Sequence, residues 1–389
     1  MYGAPMAASR IFNFSAGPAI LPPEVFERAA SAVKELRTNA HSETGEGIGL
    51  SLLEISHRSA DFAAVHDKAL SLVHEVLGIP ETHQVMFLQG GASQQFAMVP
   101  FNFAARGETA CYVDTGSWST KAIKESNTIA AMRGHETAVV ASSKDSGFDH
   151  IPALPDALPK ATSYLHVTSN NTIRGTEFEA MPEVDVPVIV DASSNIGSRP
   201  MGLERVSFGY AGAQKNLGPS GVTLVWYDKA WAAAREQAVD KAGVPLILRY
   251  ETHANKGGLF NTPNTFGILV LALVLEWVRD NGGVPAMAER NQAKADALYS
   301  LVDASSLFTA HAKPGSRSRM NVVWTLGGVA EAERDEATKR FLAEAAAAGF
   351  SGIKGHRRVG GCRASIYNAF PIEGVTALCE FMREYERKA

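Results

Sequence analysis

Between about position 65 and 280, short apolar runs alternate with segments whose apolar residues recur at helical spacing. No other feature restricts the fold as much. Strands that alternate with helices are joined by crossovers, and crossovers lay the strands parallel in one sheet with helices on its faces. The strand candidates are "QVMFL", "TACYV", "SYLHV", "VPVIV", "FGYAG" and "VTLVWY", and helical patterns include "FERAASAVKELR" and "SWSTKAIKES". The last two strands are the exception. "NLGPSG" and its few neighbours are too short for a crossover helix, so this pair predicts an antiparallel hairpin.

A chain of 389 residues is too long for one small core, so a second unit is expected. After the apolar run "GILVLALVLEWV", Gly282 and Gly283 give a turn signal. The remainder reads as helix, strands, the helix "EATKRFLAEAAAAG", more strands and the final helix "GVTALCEFMREYER". The predicted class is α/β, with a large domain on a mostly parallel sheet covered by helices and a smaller C-terminal α+β domain. The predicted division is an N-terminal arm over 1–20 packing with the small domain, a large domain over 21–280 and a small domain over 281–389.

Composition excludes more than it assigns. A net charge of -4 argues against a broad nucleic-acid-binding face. The longest apolar run is interrupted by Glu276, which makes it a buried helix rather than a membrane span. The opening "MYGAPMAASR" has no apolar core of a secretory signal. Cys111, Cys362 and Cys379 lack metal or CxxC spacing. A cytoplasmic protein is expected, with no metal site, nucleic acid or membrane among its partners.

In open α/β sheets ligands bind beyond the C-terminal ends of the strands. There, in order, this chain places "QGGASQQF" with Ala92 and Ser93, "TGSWS" with Trp118 in a loop, "NNTIRG" with Thr172, "DASSN" with Asp191, and "GAQK" with Gln214 and Lys215. Singly, each has an ordinary explanation: a turn, a packed indole, a helix cap, a solvated lysine. Together they supply what pyridoxal 5'-phosphate requires. A helix start offers free N–H groups to a phosphate. An aromatic plate fixes the ring plane, and an acid keeps the pyridine nitrogen protonated. A desolvated lysine amine serves as nucleophile.

The runs "FNFSAGPA", "EISHRS", "GGASQQF", "VDASSNIGSRP", "YAGAQKNLGPSG", "FNTPNTF", "SRMNV" and "KGHRRVGGCRASIYNAF" extend over nearly the whole chain. In them the chain resembles the phosphoserine aminotransferase family, class V aminotransferases of the type I pyridoxal-phosphate fold. The resemblance implies a seven-stranded-type sheet and a homodimer with shared active sites. It implies that Lys215 is the catalytic Schiff-base lysine, moving a proton between the substrate α-carbon and cofactor C4′. Asp191 is then the pyridinium partner and Trp118 the stacking ring. Thr172 and Gln214 flank the cofactor, and Ala92 and Ser93 hold its phosphate. Asn261 and Thr262, before Pro263 at the start of the apolar helix, reach the phosphate in the partner subunit.

The implied reaction is transamination between L-glutamate/2-oxoglutarate and 3-phosphohydroxypyruvate/O-phospho-L-serine in serine biosynthesis. The 4-phosphohydroxy-L-threonine reaction of pyridoxal phosphate biosynthesis is a related one. Such substrates carry two anionic ends, which arginine's planar fork recognises. By the resemblance Arg363 anchors the carboxylate, His356 and Arg357 contact the phosphate, and His57 and Arg58 arrive from the partner. Arg358 has no assigned role and reads as surface charge. Some members carry arginine where Ser93 stands, so one cation toward the distal anion is either missing or supplied from elsewhere. The loop over 37–54, with Gly45, Gly47 and Gly49, is longer than expected and lacks the preceding strand of a dinucleotide loop. It reads as a flexible loop at the substrate entrance. The competing readings are a desulfurase-like reaction, which needs Cys362 reactive on a mobile loop, and a dehydrogenase or binding protein, for which no GxGxxG opens a helix.

Overall fold

In the computed structural model residues 11–38 and 47–388 are described, so residues 1–10 of the expected arm and 39–46 of the expected 37–54 loop lie outside them. The central sheet has seven strands, in the order His83–Leu88, Thr223–Asp228, Phe208–Gly212, Val188–Asp191, Thr162–Thr168, Thr109–Asp114 and Glu136–Ser142. Thr223–Asp228 runs antiparallel to both of its neighbours, and the remaining pairs are parallel. The hairpin expected from the short connector is therefore present. Its reversal leaves the other six strands pointing one way, so their C-terminal ends share one edge.

Alternate side chains feed opposite layers, as the pleat requires. Val85, Phe87, Cys111, Val113, Leu165, Val167 and Val190 pack with the Ala60–Leu77 and Thr265–Asp280 helices. Met86, Leu88, Ala110, Tyr112, Tyr164 and Ile189 face the side of the Gly91–Phe103 and Ser117–Arg133 helices. Burial on both faces explains why these strands read as continuous apolar runs. Glu136–Ser142 was not among the sequence candidates; it is a half-exposed edge strand.

A separate core joins Leu298, Val322, Trp324, Phe341, Ala364 and Leu378 with Phe14 from the N-terminal segment. Its three-stranded sheet is Thr309–Ala310, Asn321–Thr325 and Cys362–Ser365. Phe12–Asn13 pairs in parallel with Phe350–Ser351.

The Thr265–Asp280 helix is buried almost all round, including Glu276, which is 5% exposed. Arg28 and Lys68 both contact its carboxylate. Burial pushes the Glu276 pKa up, but hydrogen bonds from Lys68 and Arg28 outweigh that and hold it below the usual range. This contribution is present above the unfolded pKa and is lost as pH falls through the folded one. Both cations are about half exposed and screened, so Glu276→Gln is expected to destabilise the fold by about 1–2 kcal/mol. Denaturant melts at pH 7 and at pH 4 should show the variant's deficit shrinking at the lower pH.

Candidate active site

Lys215 occupies the connector of the hairpin. The connector folds back through Gly218 N–H donating to the Ala213 carbonyl at 2.7 Å and Ala213 N–H to Val222 O at 2.9 Å. The rest of "NLGPSG" packs on the apolar helix: at Gly221, φ +95°, a Cβ would lie 2.7 Å from Asn264 Nδ2. Asn264, and not Asn261 or Thr262, is the helix cap, accepting from Gly267 N–H at 2.9 Å. On the other side, Asn216 accepts the Asn368 N–H at 3.1 Å and so ties the lysine loop to the second core.

The Lys215 amine donates to Thr172 Oγ1 at 2.7 Å and lies 5.8 Å from the centre of the Trp118 ring. Lys215 as a whole is half-buried, yet its amine is desolvated. That burial lowers its pKa to about 8, opposed by the Asp191 carboxylate and assisted by the Arg363 charge. Asp191 ends its strand at 4% exposure and accepts the Ser193 N–H at 3.0 Å. Burial raises its pKa, while Ser193 and Lys215 pull it down.

Trp118 is not in a loop as expected. It stands in the first turn of the Ser117–Arg133 helix. The polar run around it is a capping signal: Ser119 Oγ accepts the Thr115 and Gly116 N–H groups at 2.9 Å and donates to Asp114 Oδ1 at 2.8 Å. Ala92 and Ser93 fall in the first turn of the Gly91–Phe103 helix, entered through Gly90 and Gly91 at φ +87° and +65°. No acid sits in that turn, which leaves its N–H groups suited to a phosphate. Gln214 is half-buried; its carbonyl accepts Ala19 N–H at 3.0 Å, and a Cβ on Gly17 would lie 3.6 Å from its Cγ.

Arg363 reaches the same place from the second core, its Nη1 donating to the Thr172 carbonyl at 3.2 Å while Nε is buried without a partner. Burial lowers the His356 pKa, and the charges of Arg363, Arg357, Arg358 and Lys121 add to the effect. Two basic residues of this wall escaped the sequence reading: Lys121, whose Nζ is 4.3 Å from the Trp118 ring centre, and Arg174, beside Thr172. The only signal for Arg174 was its place in a strand-end run.

Four expected residues do not join this group within the chain. His57 and Arg58 lie in the turn before the Ala60–Leu77 helix. Asn261 lines a 240 Å³ groove with Gln89, Gln94 and His253, and Gln89 donates to the Thr262 carbonyl at 3.0 Å. A roomier cavity, 370 Å³ beside Arg28, Lys68 and Glu276, contains none of the candidates, so convergent chemistry and not volume marks the site.

The arrangement fits pyridoxal phosphate. It combines a desolvated amine, a buried acid at a strand end, an indole facing the amine and a helix start free of acids. The desulfurase-like reading finds no support: Cys362 is fully buried in a strand and burial pushes its thiol far up. Among the described residues no cluster of His, Cys, Asp and Glu could hold a metal ion.

Comparison with known proteins agrees. Residues 11–378 match the family described as Aminotransferase class-V. A phosphoserine aminotransferase of Geobacillus kaustophilus is 47% identical over 97% of this chain and 99% of its own. The solved phosphoserine aminotransferase of Bacillus circulans subsp. alkalophilus superposes with a TM-score of 0.87 at 42% identity, covering 98% of this chain and 99% of that one. The pyridoxal-phosphate-bound phosphoserine aminotransferase of Trichomonas vaginalis does so with 0.87 at 34%, over 96% and 100%. With the site geometry and these likenesses together, the chain belongs to the class V aminotransferases, within the phosphoserine aminotransferase family, and its cofactor is pyridoxal phosphate.

Proposed function

We propose that this enzyme moves the amino group of L-glutamate to 3-phosphohydroxypyruvate, giving 2-oxoglutarate and O-phospho-L-serine for serine biosynthesis. One observation carries the reading: the Lys215 amine, bonded to Thr172 and opposed by the Asp191 carboxylate, faces a wall formed by Arg363, His356 and Arg357. Both substrates bring two anionic ends to that wall. The arginine fork of Arg363 takes the α-carboxylate, its Nη1 already fixed on the Thr172 carbonyl. His356 and Arg357 take the distal phosphate.

When bound, pyridoxal phosphate supplies a carbonyl that bonds amines reversibly and a ring that receives the electron pair released at the substrate α-carbon. Ala92 and Ser93 N–H groups would hold its phosphate, Trp118 would stack on its ring, Gln214 would lie beside it and Asp191 would keep the ring nitrogen protonated. With a pKa near 8, Lys215 is substantially neutral at mildly alkaline pH, and its Nζ takes the proton from the substrate Cα. Thr172 Oγ1 holds Nζ in line for that transfer.

His57, Arg58, Asn261 and Thr262 complete the site from a second copy, which makes the working unit a homodimer. Exposure of Arg58, Asn261 and Thr262 supports this. The chain divides as 1–20, 21–280 and 281–389, supported by its two distinct cores. A cytoplasmic location is supported by three unpaired cysteines, and among the described residues no helix is long and apolar enough to cross a membrane. The longer 4-phosphohydroxy-L-threonine presents the same two anionic ends and is a second substrate.

Half-reactions test the assignment. Glutamate alone should release 2-oxoglutarate stoichiometrically with sites, and phosphoserine alone should release 3-phosphohydroxypyruvate. Failure of either ends the reading. In the same assay Arg363→Lys, which keeps the charge and loses the fork, should lower kcat/KM for both substrates by roughly 10²-fold.

A further inference from the structure

The Gly283–Ala304 helix feeds both cores, with Met287 packed in the first and Leu298 in the second. Between those two positions stand Asn291 and Lys294, three residues apart and so on one face, and both are almost wholly buried. Lysine is seldom buried without an acid beside it, and none pairs with Lys294 among the described residues. Its amine instead donates to two backbone carbonyls, Ile366 at 2.8 Å and Tyr367 at 2.6 Å. Burial lowers its pKa to about 7, and the Arg290 charge adds to that. Above pH 7 it is mainly a neutral amine with two N–H donors, one for each carbonyl it meets. Asn291 holds the next residue, its Nδ2 donating to Asn368 Oδ1 at 2.8 Å and to the Ser198 carbonyl at 3.0 Å.

The turn gripped in this way, over 366–368, follows the Cys362–Ser365 strand that carries Arg363, and it reaches both flanks of Lys215. On one flank the Asn368 N–H donates to Oδ1 of Asn216, next to the lysine, at 3.1 Å. On the other, the Tyr367 hydroxyl donates to the Ala16 carbonyl at 2.9 Å. Ala16 precedes Gly17, where a Cβ would lie 3.7 Å from Lys215 Cγ, and Ala19 N–H donates to the Gln214 carbonyl at 3.0 Å. Arg363 is held separately, by the pairing of its own strand with Asn321–Thr325. The turn is therefore a joint through which the second core, with Arg363, meets the loop that bears the amine.

We propose that Lys294 is a positioning residue: by fixing the 366–368 turn it sets where the Lys215 amine stands relative to a substrate held on Arg363. The inference rests on the aminotransferase reading above. Proton transfer from the substrate Cα requires close alignment, and a misplacement of about 1 Å caused far from the chemistry costs up to roughly 10²-fold in rate. The α-carboxylate keeps its own anchor when the turn loosens, so the loss falls on the transfer and not on binding.

The test uses holoenzyme and the glutamate half-reaction, with rates expressed per site loaded with cofactor. In Lys294→Met, which keeps the bulk and removes both donors, the rate should fall by roughly 10- to 10²-fold. The isotope effect with α-deuterated glutamate should rise, because a misplaced amine makes proton transfer the slow step. Affinity for glutarate, an unreactive acid with two carboxylates, should stay within about threefold of wild type. Lys294→Gln keeps two N–H donors and should lie between wild type and Lys294→Met. Tyr367→Phe cuts only the tie to Ala16 and should lower the rate by about threefold or more, with the same rise in isotope effect. It decides the matter if Lys294→Met does not fold. A folded Lys294→Met with the wild-type rate overturns the proposal, as does one that loses glutarate affinity as much as rate with no change in isotope effect. Tyr367→Phe with the wild-type rate and isotope effect overturns it too. Wild-type protein that releases no 2-oxoglutarate from glutamate overturns the underlying reading instead, whatever the variants do.

Discussion

Lys215→Ala is expected to lower kcat for amino-group transfer by roughly 10³- to 10⁴-fold, because it removes both the nucleophile and the proton carrier at one position. No other amine can stand in. Lys121 is exposed on the helix beside Trp118, and among the described residues the one amine bonded to Thr172 Oγ1 is Nζ of Lys215. The wild-type amine also makes a pH prediction. Burial lowers its pKa to about 8, so the neutral fraction is about half at pH 8, whereas an unperturbed lysine would be well under ~1% neutral there. Covalent uptake of pyridoxal phosphate by the apoprotein should therefore rise with pH, reach half its maximum at about 8 and level off about one unit higher. The Ala variant should still hold the cofactor through the amides of Ala92 and Ser93 and through Trp118, but without the visible band of the lysine-linked form. A variant that keeps both the band and the turnover would remove Lys215 from its role. Melting should change little, since the substitution deletes a desolvated amine at the cost of its one hydrogen bond to the buried Thr172 Oγ1.

How much of this was legible follows from where each constraint acts. The central strands could be read because both of their faces are buried and their residues are mostly apolar for that reason; Glu136–Ser142, half-exposed at the edge, carries no such mark. Lys215, Asp191 and Thr172 could be read because strand ends in this architecture converge, and their contacts here are short. Trp118 was misplaced because Thr, Gly and Ser before it suggest a loop, whereas Ser119 after it accepts the Thr115 and Gly116 N–H groups and, with Thr120, donates to Asp114, which closes the helix start. The Asn264 cap was missed in favour of its neighbours Asn261 and Thr262 for a similar reason: Pro263 drew the helix start too early. Asn261, Thr262, His57 and Arg58 are a different case: the contact between two copies proposed for them would leave no trace in the packing of one.

Asp191→Asn tests the other pole of the site and should affect chemistry without affecting substrate grip. Asparagine keeps an oxygen for the Ser193 N–H, so the Asp191–Ser193 turn stays in place while the charge is lost. Two effects are expected together. First, kcat should fall by about 10²- to 10³-fold, the usual cost of removing one preorganised charge from where charge develops. Second, Asp191 is the group that raises the Lys215 pKa against burial, so without it the amine becomes neutral at lower pH. The midpoint of cofactor uptake should then fall below pH 8, the opposite of what a general loss of site structure would produce. Arg363, His356 and Arg357 are untouched, so the affinity for the unreactive phosphorylated acid 3-phosphoglycerate should stay within about threefold of wild type. Uptake that shifts to higher pH, or a loss seen in KM with kcat preserved, would mean that Asp191 is not the carboxylate opposing Lys215. The direction of the pH shift decides this even if the rate effect is smaller than expected, because burial alone can only lower the amine's pKa and Asp191 is what keeps it as high as about 8.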